Sequence, residues 1–349
     1  MFFAAHDSNL LATGIADLIR EQYSCGQVHH CSLHHRGVND TFIMRRVGAA
    51  PLFFRVYSAN WRSDAQIASE LAIIEHLARN GVRVSLPLPT RNGEVAIPLV
   101  CVEGRRCGVL FESAPGTVVA YEEYSQLEAE WYGKGIGMIS RAMATYSGPR
   151  VRPSLDTYGL IKGPIRSFGA TLSKVGRDPT FFIDAAQLVS NRVEALGSLE
   201  MAFCHGDLHG QNGSLSGHEF TYYDFDCCGW GFFGYELSVF PWVLFLRNMT
   251  EERILTLTAS YLKGVMHSRK VQSLDIGELF TFVMAREIWY LGLQADLADK
   301  LGWAQFDQSF IRRHTSILLR LQQHYVRKDV IGWLLQDPMF KHVAASRLV

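Results

Sequence analysis

The sequence predicts an α+β protein in which a small, β-rich N-terminal part is followed by a larger, mainly helical part. Up to about residue 111, short apolar runs alternate with turn residues, and one segment of helical period interrupts them. Beyond Pro115 and Gly116, apolar residues recur mostly at helical spacing. With 349 residues the chain is long enough for two or three domains. We expect two, residues 1–111 and 112–349.

The N-terminal part is predicted to open with a helix that has Asp7 or Ser8 as its cap, because Leu10, Ile15 and Ile19 form an apolar stripe. A small sheet with one inserted helix follows. Its strands are predicted over residues 28–33, 41–47, 52–57, 96–101 and 107–111, and the helix over residues 64–79.

The C-terminal part is predicted to be a set of helices interrupted by two short strands. The helices are expected over residues 121–146, 179–196, 235–246, 251–266, 276–297 and 308–328. The strands are expected over residues 202–205 and 219–224. The polar residues of greatest interest lie at the ends of these two strands.

Composition limits the classes of function. The chain has 34 basic and 34 acidic residues, so no net charge attracts nucleic acid or an anionic membrane. No run of about eighteen apolar residues suggests a membrane span. The seven cysteines form no CxxC pair, which favours buried thiols in a reducing cytoplasm. We expect a soluble, cytoplasmic protein.

Three polar residues at the strand ends have the chemistry of phosphoryl transfer. Asp207 and Asn212 lie in the segment His-Gly-Asp-Leu-His-Gly-Gln-Asn, and Asp224 follows twelve residues later. Transfer of a phosphoryl group from a nucleotide needs a carboxylate that orients the acceptor and oxygen ligands for Mg²⁺. The spacing supplies both kinds of group.

Residues 203–237 resemble the catalytic and metal-binding loops of the aminoglycoside phosphotransferase, choline kinase and type II homoserine kinase group. That group has a bilobal protein-kinase-like fold, with a small β-rich N-lobe and a larger, mainly helical C-lobe. The resemblance implies that Asp207 is the base and that Asn212 and Asp224 hold Mg²⁺. It gives His209 a supporting role near the transferred phosphate.

The N-terminal half resembles the nucleotide-binding lobe of the same group. Asn39 lies in a segment similar to the turn that covers the nucleotide phosphates. Arg55 lies where the group carries its phosphate-contacting cation, with Glu70 as the implied ion-pair partner. Leu110 and Phe111 fall in the segment that resembles the adenine-binding hinge.

The resemblance implies an ATP- and Mg²⁺-dependent kinase that acts on a hydroxyl group of a small molecule, such as an antibiotic, an amino alcohol or a metabolite. Residues 61–67 resemble the bacterial stress-response kinase A branch, so a protein serine or threonine is the alternative acceptor. Arg55 replaces the usual lysine, which leaves a non-catalytic nucleotide-binding pseudokinase as a third reading. No nucleic acid or membrane partner is expected, and the oligomeric state stays open.

Several competing interpretations of the same residues are weaker. His205, Asp207 and His209 alternate as zinc ligands could, but no further ligand group follows downstream. Residues 229–234 match the dinucleotide pattern GxGxxG without a surrounding βαβ unit. Histidines between residues 29 and 35 have no zinc-finger spacing.

Three charged residues of the helical part are of interest beyond the two loops. Glu236 stands where relatives of the group have aspartate, and we interpret it as structural, anchoring the catalytic loop. Arg286 and Glu287 lie on one predicted helix, where they either contact a substrate or are bound to a neighbouring residue.

Overall fold

The structure is a computed structural model that describes residues 5–327. The chain divides into two compact units. The first runs to residue 115 and includes residues 148–151 and 221–223; the second contains the rest. The domain boundary after residue 111 stays a prediction. Residues 1–4 and 328–349, including the predicted last residue of the final helix, lie outside the described residues.

The first unit contains a five-stranded antiparallel sheet with strand order β1-β2-β3-β5-β4. Its elements are α1 (Ala12–Gln22), β1 (Val28–Arg36), β2 (Asp40–Arg46), β3 (Ala49–Tyr57), α2 (Asp64–Arg79), β4 (Ala96–Cys101) and β5 (Gly104–Glu112). The predicted sheet with one inserted helix is therefore confirmed. The bounds of α2 match the prediction because Ser63 and Gln66 form a capping box at its start.

The predicted start of the first helix is wrong. α1 begins at Ala12, and neither Asp7 nor Ser8 caps it. Asp7 Oδ2 accepts a hydrogen bond from Arg36 at 2.6 Å, and the Ser8 hydroxyl donates to Glu103 at 3.0 Å. These polar side chains have distant partners, which a pattern of local helix caps does not reveal.

The second unit is mainly helical. Its helices are α3 (Gln126–Met143), α4 (Gly163–Lys174), α5 (Thr180–Ala195), α6 (Phe233–Leu246), α7 (Glu251–Ser268), α8 (Ser273–Gly277), α9 (Leu279–Asp296), α10 (Ala298–Leu301) and α11 (Gln308–Arg327). Strand β10 (Gly229–Phe232) runs parallel to β6 (Ser154–Leu155) and antiparallel to β7 (Met201–Cys204). A two-stranded ladder joins β8 (Gly213–Ser216) and β9 (Glu219–Tyr222). The predicted α+β class is confirmed.

Three helical assignments differ from the prediction, and one of them is the four-residue α10, which the sequence pattern did not predict. The sequence pattern missed α4, whose first residues Gly163 and Pro164 are typical of a loop, although proline is tolerated in the first turn of a helix. The helix predicted over residues 276–297 is divided at Glu278, which ends α8 and precedes α9. No helix within residues 5–327 is long and apolar enough to cross a bilayer.

Helices α6 and α9 are buried on nearly all sides, in keeping with their almost continuous apolar sequence. They pack against each other, and each contributes a charged side chain, Glu236 or Arg286, to the loop that follows β7. That loop carries Asp207. The two buried helices therefore support the loop that carries the candidate base.

Candidate active site

The loop of residues 205–212, which follows β7, is held by three tyrosines. Their hydroxyl groups donate to main-chain carbonyl oxygens: Tyr235 to Gly206 at 3.2 Å, Tyr132 to His209 at 2.7 Å and Tyr124 to Gly210 at 2.9 Å. Gly206 has φ +80°, and a Cβ there would lie 2.3 Å from the carbonyl oxygen of Cys227. The loop therefore has a fixed path that only glycine permits at residue 206.

The two carboxylate oxygens of Asp207 have different surroundings. Oδ1 accepts a hydrogen bond from Nη2 of Arg286. Oδ2 lies 3.5 Å from Nδ2 of Asn212 and 3.8 Å from Nε2 of His209. The Asp207 side chain is 21% exposed, whereas that of Arg286 is 2% exposed. One oxygen is thus fixed by a buried cation, and the carboxylate is still accessible to a reactant.

Arg286 is enclosed by hydrogen-bond acceptors and aromatic rings. Its Nη1 donates to the Gly206 carbonyl oxygen and the Tyr235 hydroxyl, both at 2.9 Å. The guanidinium lies 4.7 Å from the ring centroid of Trp242 and 4.3 Å from that of Trp289. Burial lowers the pKa of Arg286, but Tyr235 and Asp207 outweigh it and raise that pKa, so the group is charged.

Glu287 binds Trp242, the tryptophan that packs on the Arg286 guanidinium. Its Oε2 accepts a hydrogen bond from Trp242 Nε1 at 2.7 Å, and its Oε1 lies 2.5 Å from His314 Nδ1. Glu287 is fully buried. Of the two roles left open for Arg286 and Glu287, the structure shows binding to neighbouring residues.

His209 is a neutral imidazole beside Asp207. Its Nδ1 lies 3.0 Å from the Tyr121 hydroxyl and accepts the Gln211 N–H at 3.3 Å, which assigns the ring proton to Nε2. Burial lowers the pKa of His209, and the charge of Asp207 opposes that effect. The ring therefore presents an N–H donor on the side of Asp207.

Asn212 and Asp224 have features that fit a divalent cation. Nδ2 of Asn212 donates to the Asp207 carbonyl oxygen at 2.8 Å, while its Oδ1 accepts no hydrogen bond from the residues described. Asp224 has φ 67° and ψ 55°, a left-handed conformation that is uncommon outside glycine and recurs at functional sites. Arg152 Nε donates to the Cys228 carbonyl oxygen at 3.0 Å and so fixes the turn after Asp224. An amide and a carboxylate oxygen are ligands that Mg²⁺ accepts.

Glu236 anchors the loop, as predicted. This residue of the first turn of α6 accepts the Gly206 N–H at 3.0 Å through Oε2. It is almost completely buried, and burial raises its pKa to about 7. The bond joins the start of α6 to the residue that precedes Asp207.

In the first unit, the predicted ion pair is present. Arg55 Nη1 lies 3.3 Å from Glu70 Oε1, and the Tyr57 hydroxyl donates to the same oxygen at 3.0 Å. The guanidinium also lies 5.3 Å from the ring centroid of Phe111. The strand cation is thus held by the helix carboxylate and two aromatic rings, while its contact with phosphate stays a prediction.

The other predicted nucleotide residues of this unit are mostly engaged within it. Asn39 is buried, and its Oδ1 accepts the Ser58 N–H at 3.1 Å, so its side chain ties the β1–β2 turn to the end of β3. The Leu110 carbonyl oxygen accepts the Leu88 N–H at 2.7 Å and is occupied in this conformation. Phe111, next along β5, stays a predicted adenine contact.

The weaker interpretations find no support in the structure. Within residues 5–327 no three or more His, Cys, Asp or Glu side chains are grouped to hold a metal ion. His205 is buried with its ring 4.3 Å from that of Phe225. In the GxGxxG segment, a Cβ at Gly231 would lie 2.1 Å from the Leu155 carbonyl oxygen, so this glycine serves strand packing.

The comparison with protein families decides the assignment. A model described as the phosphotransferase enzyme family matches residues 31–270. The chain belongs to this family. It is the aminoglycoside phosphotransferase group that the two loop motifs indicated, and the likeness to the stress-response kinase A branch stays a prediction.

Relatives and solved structures agree with the family. An uncharacterized protein of Deinococcus radiodurans is 32% identical over 93% of both chains. A structure of amicoumacin kinase in complex with AMP-PNP, Ca²⁺ and Ami has a TM-score of 0.73, with 16% identity over 88% of this chain and 93% of that one. A microcompartment-associated aminopropanol kinase has a TM-score of 0.72, with 18% identity over 91% of this chain and 99% of that one. At these identities the two structures show that the chain has the kinase-like fold of the family.

Proposed function

We propose that this phosphotransferase moves the terminal phosphoryl group of ATP to a hydroxyl group of a small molecule. The observation that carries the proposal is the environment of Asp207. One carboxylate oxygen is held by a buried arginine, and the other is next to the side chains of Asn212 and His209. A carboxylate fixed in this way can accept or orient the proton of an incoming hydroxyl.

The remaining roles are those that the resemblance to the family implies, and the surroundings of the side chains support them. Asn212 and Asp224 would hold Mg²⁺, which neutralises charge on the phosphates when it is bound. His209 would donate from Nε2 to an oxygen of the transferred group, since its other ring nitrogen is occupied as an acceptor. Arg55 would contact the nucleotide phosphates, and Phe111 the adenine.

The first experiment replaces Asp207 with asparagine, which keeps the shape and removes the proton acceptor. Wild-type and Asp207→Asn proteins are incubated with labelled ATP and Mg²⁺, alone, with hydroxyl compounds and with cell extract. We expect label transfer to fall by roughly 10²–10⁴-fold in the variant, because that is the usual contribution of a general base. Nucleotide binding, measured by calorimetry, should stay within about twofold of wild type, since removal of a group that acts in the transition state changes turnover more than ground-state binding.

A matched control is Asp184→Asn, which removes the same charge from an exposed position on α5. It should transfer label at the wild-type rate. Unchanged turnover in Asp207→Asn would refute the assignment of the base.

The same incubations separate the alternative acceptors. Label in small molecules supports the proposed function, and label only in protein supports a serine or threonine kinase. Nucleotide binding without label transfer would support a pseudokinase in which Arg55 has replaced the phosphate-contacting lysine.

A further inference from the structure

Two exposed arginines lie at the C-terminal end of α6. Arg247 follows the last residue of α6, and its guanidinium lies 5.2 Å from the ring centroid of Tyr121. Arg313 on α11 donates from Nη2 to the carbonyl oxygen of Leu246 at 3.0 Å, which brings it beside Arg247. Within the part of the chain that the structure describes, neither arginine forms an ion pair with a carboxylate. Two adjacent positive charges without a counter-charge repel each other.

Arg247 is connected to the proposed reacting groups through Tyr121. The hydroxyl of this tyrosine lies 3.0 Å from His209 Nδ1, while its ring lies under the Arg247 guanidinium. One tyrosine side chain therefore separates the Arg247 guanidinium from the 205–212 loop.

Arg313 lies near the aromatic residues that pack around Arg286. Its charge acts on Tyr290, whose ring centroid lies 5.2 Å from that of Trp242. Trp242 in turn packs on the Arg286 guanidinium. The two exposed arginines thus lie near the aromatic residues that surround Asp207.

The other charges of the site are already balanced. The charge of Asp207 is neutralised by Arg286, and His209 is neutral. Asp224 is assigned to the metal ion. The acidic residues that follow Tyr121, Glu122 and Glu123, are exposed, and the charges that act most strongly on the Tyr121 hydroxyl are those of Asp207, Arg247 and Arg286. A molecule that approaches His209 and Tyr121 therefore meets an excess of positive charge.

We propose that the acceptor of this phosphotransferase carries an anionic group, a carboxylate or a phosphate, that binds to Arg247 with Arg313 beside it. The planar guanidinium can form two parallel hydrogen bonds with either group. Stacking on Tyr121 limits the orientations of Arg247 and reduces the entropy lost on binding. The inference rests on the proposed function and adds the charge of the substrate to it.

The test determines the charge of the acceptor and does not require its identity. A small-molecule extract of the source cells is separated by ion exchange into anionic, cationic and neutral fractions, and each is incubated with the full chain, labelled ATP and Mg²⁺. We expect labelled product from the anionic fraction. Pretreatment of that fraction with an immobilised phosphatase separates the two anions, because a phosphate-bearing acceptor loses its activity and a carboxylate-bearing acceptor keeps it.

A second experiment tests whether Arg247 binds the anionic group of the acceptor. Arg247→Gln should raise KM for the anionic acceptor roughly tenfold or more, the effect of one lost charged hydrogen bond, with kcat and KM for ATP within about twofold of wild type. Arg312→Gln, which removes an exposed charge from the turn of α11 that contains Arg313, should leave all three constants unchanged. A structural role for Arg247 at the helix end would change only the thermal unfolding temperature.

Each of the other possible outcomes would overturn one specific part of the proposal. Product from the cationic or neutral fraction, or label in protein alone, would overturn the anionic acceptor while leaving phosphoryl transfer intact. Equal KM values for Arg247→Gln and wild type, or an effect confined to KM for ATP, would overturn the role of Arg247. Absence of label in every fraction, with wild type and Asp207→Asn alike, would mean that the proposed function itself is wrong.

Discussion

Replacement of Arg286 tests whether a buried guanidinium orients the proposed base. Arg286 donates to Asp207 Oδ1, to the Gly206 carbonyl oxygen and to the Tyr235 hydroxyl. Arg286→Lys keeps the charge, but one ammonium cannot reach three acceptors arranged around a planar fork. With two hydrogen bonds lost at about 1 kcal/mol each, the free energy of unfolding should fall by about 2 kcal/mol. For a unit of this size the melting temperature would drop by roughly 4–8 °C.

Arg286→Lys should lower kcat by more than its loss of stability alone would explain. A carboxylate displaced by about 1 Å can lose about 100-fold in rate, so we expect kcat for label transfer to fall by that factor. KM for ATP should stay within about twofold of wild type, because Arg286 does not act on the nucleotide. Initial rates of label transfer from ATP to the acceptor fraction measure kcat, and thermal unfolding measures the loss of stability.

Arg269→Lys is the matched control for Arg286→Lys. Arg269 forms an ion pair with Glu200 and lies 3.8 Å from the ring centroid of Phe233, so it too is an arginine packed on an aromatic ring. It should lose similar stability and keep its kcat. A kcat for Arg286→Lys within about threefold of that of Arg269→Lys would refute the orienting role.

Two further predictions concern the loop that carries Asp207. Burial raises the pKa of Glu236 from 4.5 to about 7, so its contribution to stability is complete below about pH 4.5 and is lost as the pH rises towards 7. Glu236→Gln, which still offers an oxygen to the Gly206 N–H, should therefore flatten this decline in denaturant titrations across that range; an unchanged slope would contradict the assignment. Gly206→Ala should lower both kcat and stability, by more than about 1 kcal/mol for the latter, because its Cβ would meet the Cys227 carbonyl oxygen at 2.3 Å. Gly217→Ala, where φ is +65° and no atom lies within 4 Å, carries only the backbone strain; equal effects of the two substitutions would show that the close contact has no role.

The candidate base and metal ligands could be predicted because they occur in two short segments. Asp207 and Asn212 are five residues apart in one loop, and Asp224 ends the next predicted strand, so local spacing is enough to suggest that they meet. In the structure, both carboxylates act on the pKa of His209. The bounds of α2 were predictable for the same reason, since its capping box is local.

The groups that hold the site could not be predicted in the same way. Two of the three tyrosines that donate to the loop come from segments more than seventy residues before it, and the partner of Asp207 lies seventy-nine residues after it. No local pattern distinguishes these residues from core aromatics or a surface charge. The failure at the N-terminus has the same origin, because the partner of Asp7 is at the end of β1 and that of Ser8 is in the turn between β4 and β5, rather than in the helix next to them.

One general signal could have identified Glu236, Arg286 and Glu287 before the structure was known. Each is a charged residue in a helix that is otherwise almost wholly apolar, α6 or α9. A buried charge costs several kcal/mol unless it is paired or hydrogen-bonded. Each of these charges must therefore have a partner in the fold, and in the structure Glu236 and Arg286 bind the residues around Asp207 while Glu287 holds the tryptophan on which Arg286 packs. The charge pattern of α6 and α9 thus indicates where the active site is supported, whereas only the three-dimensional structure identifies the partners.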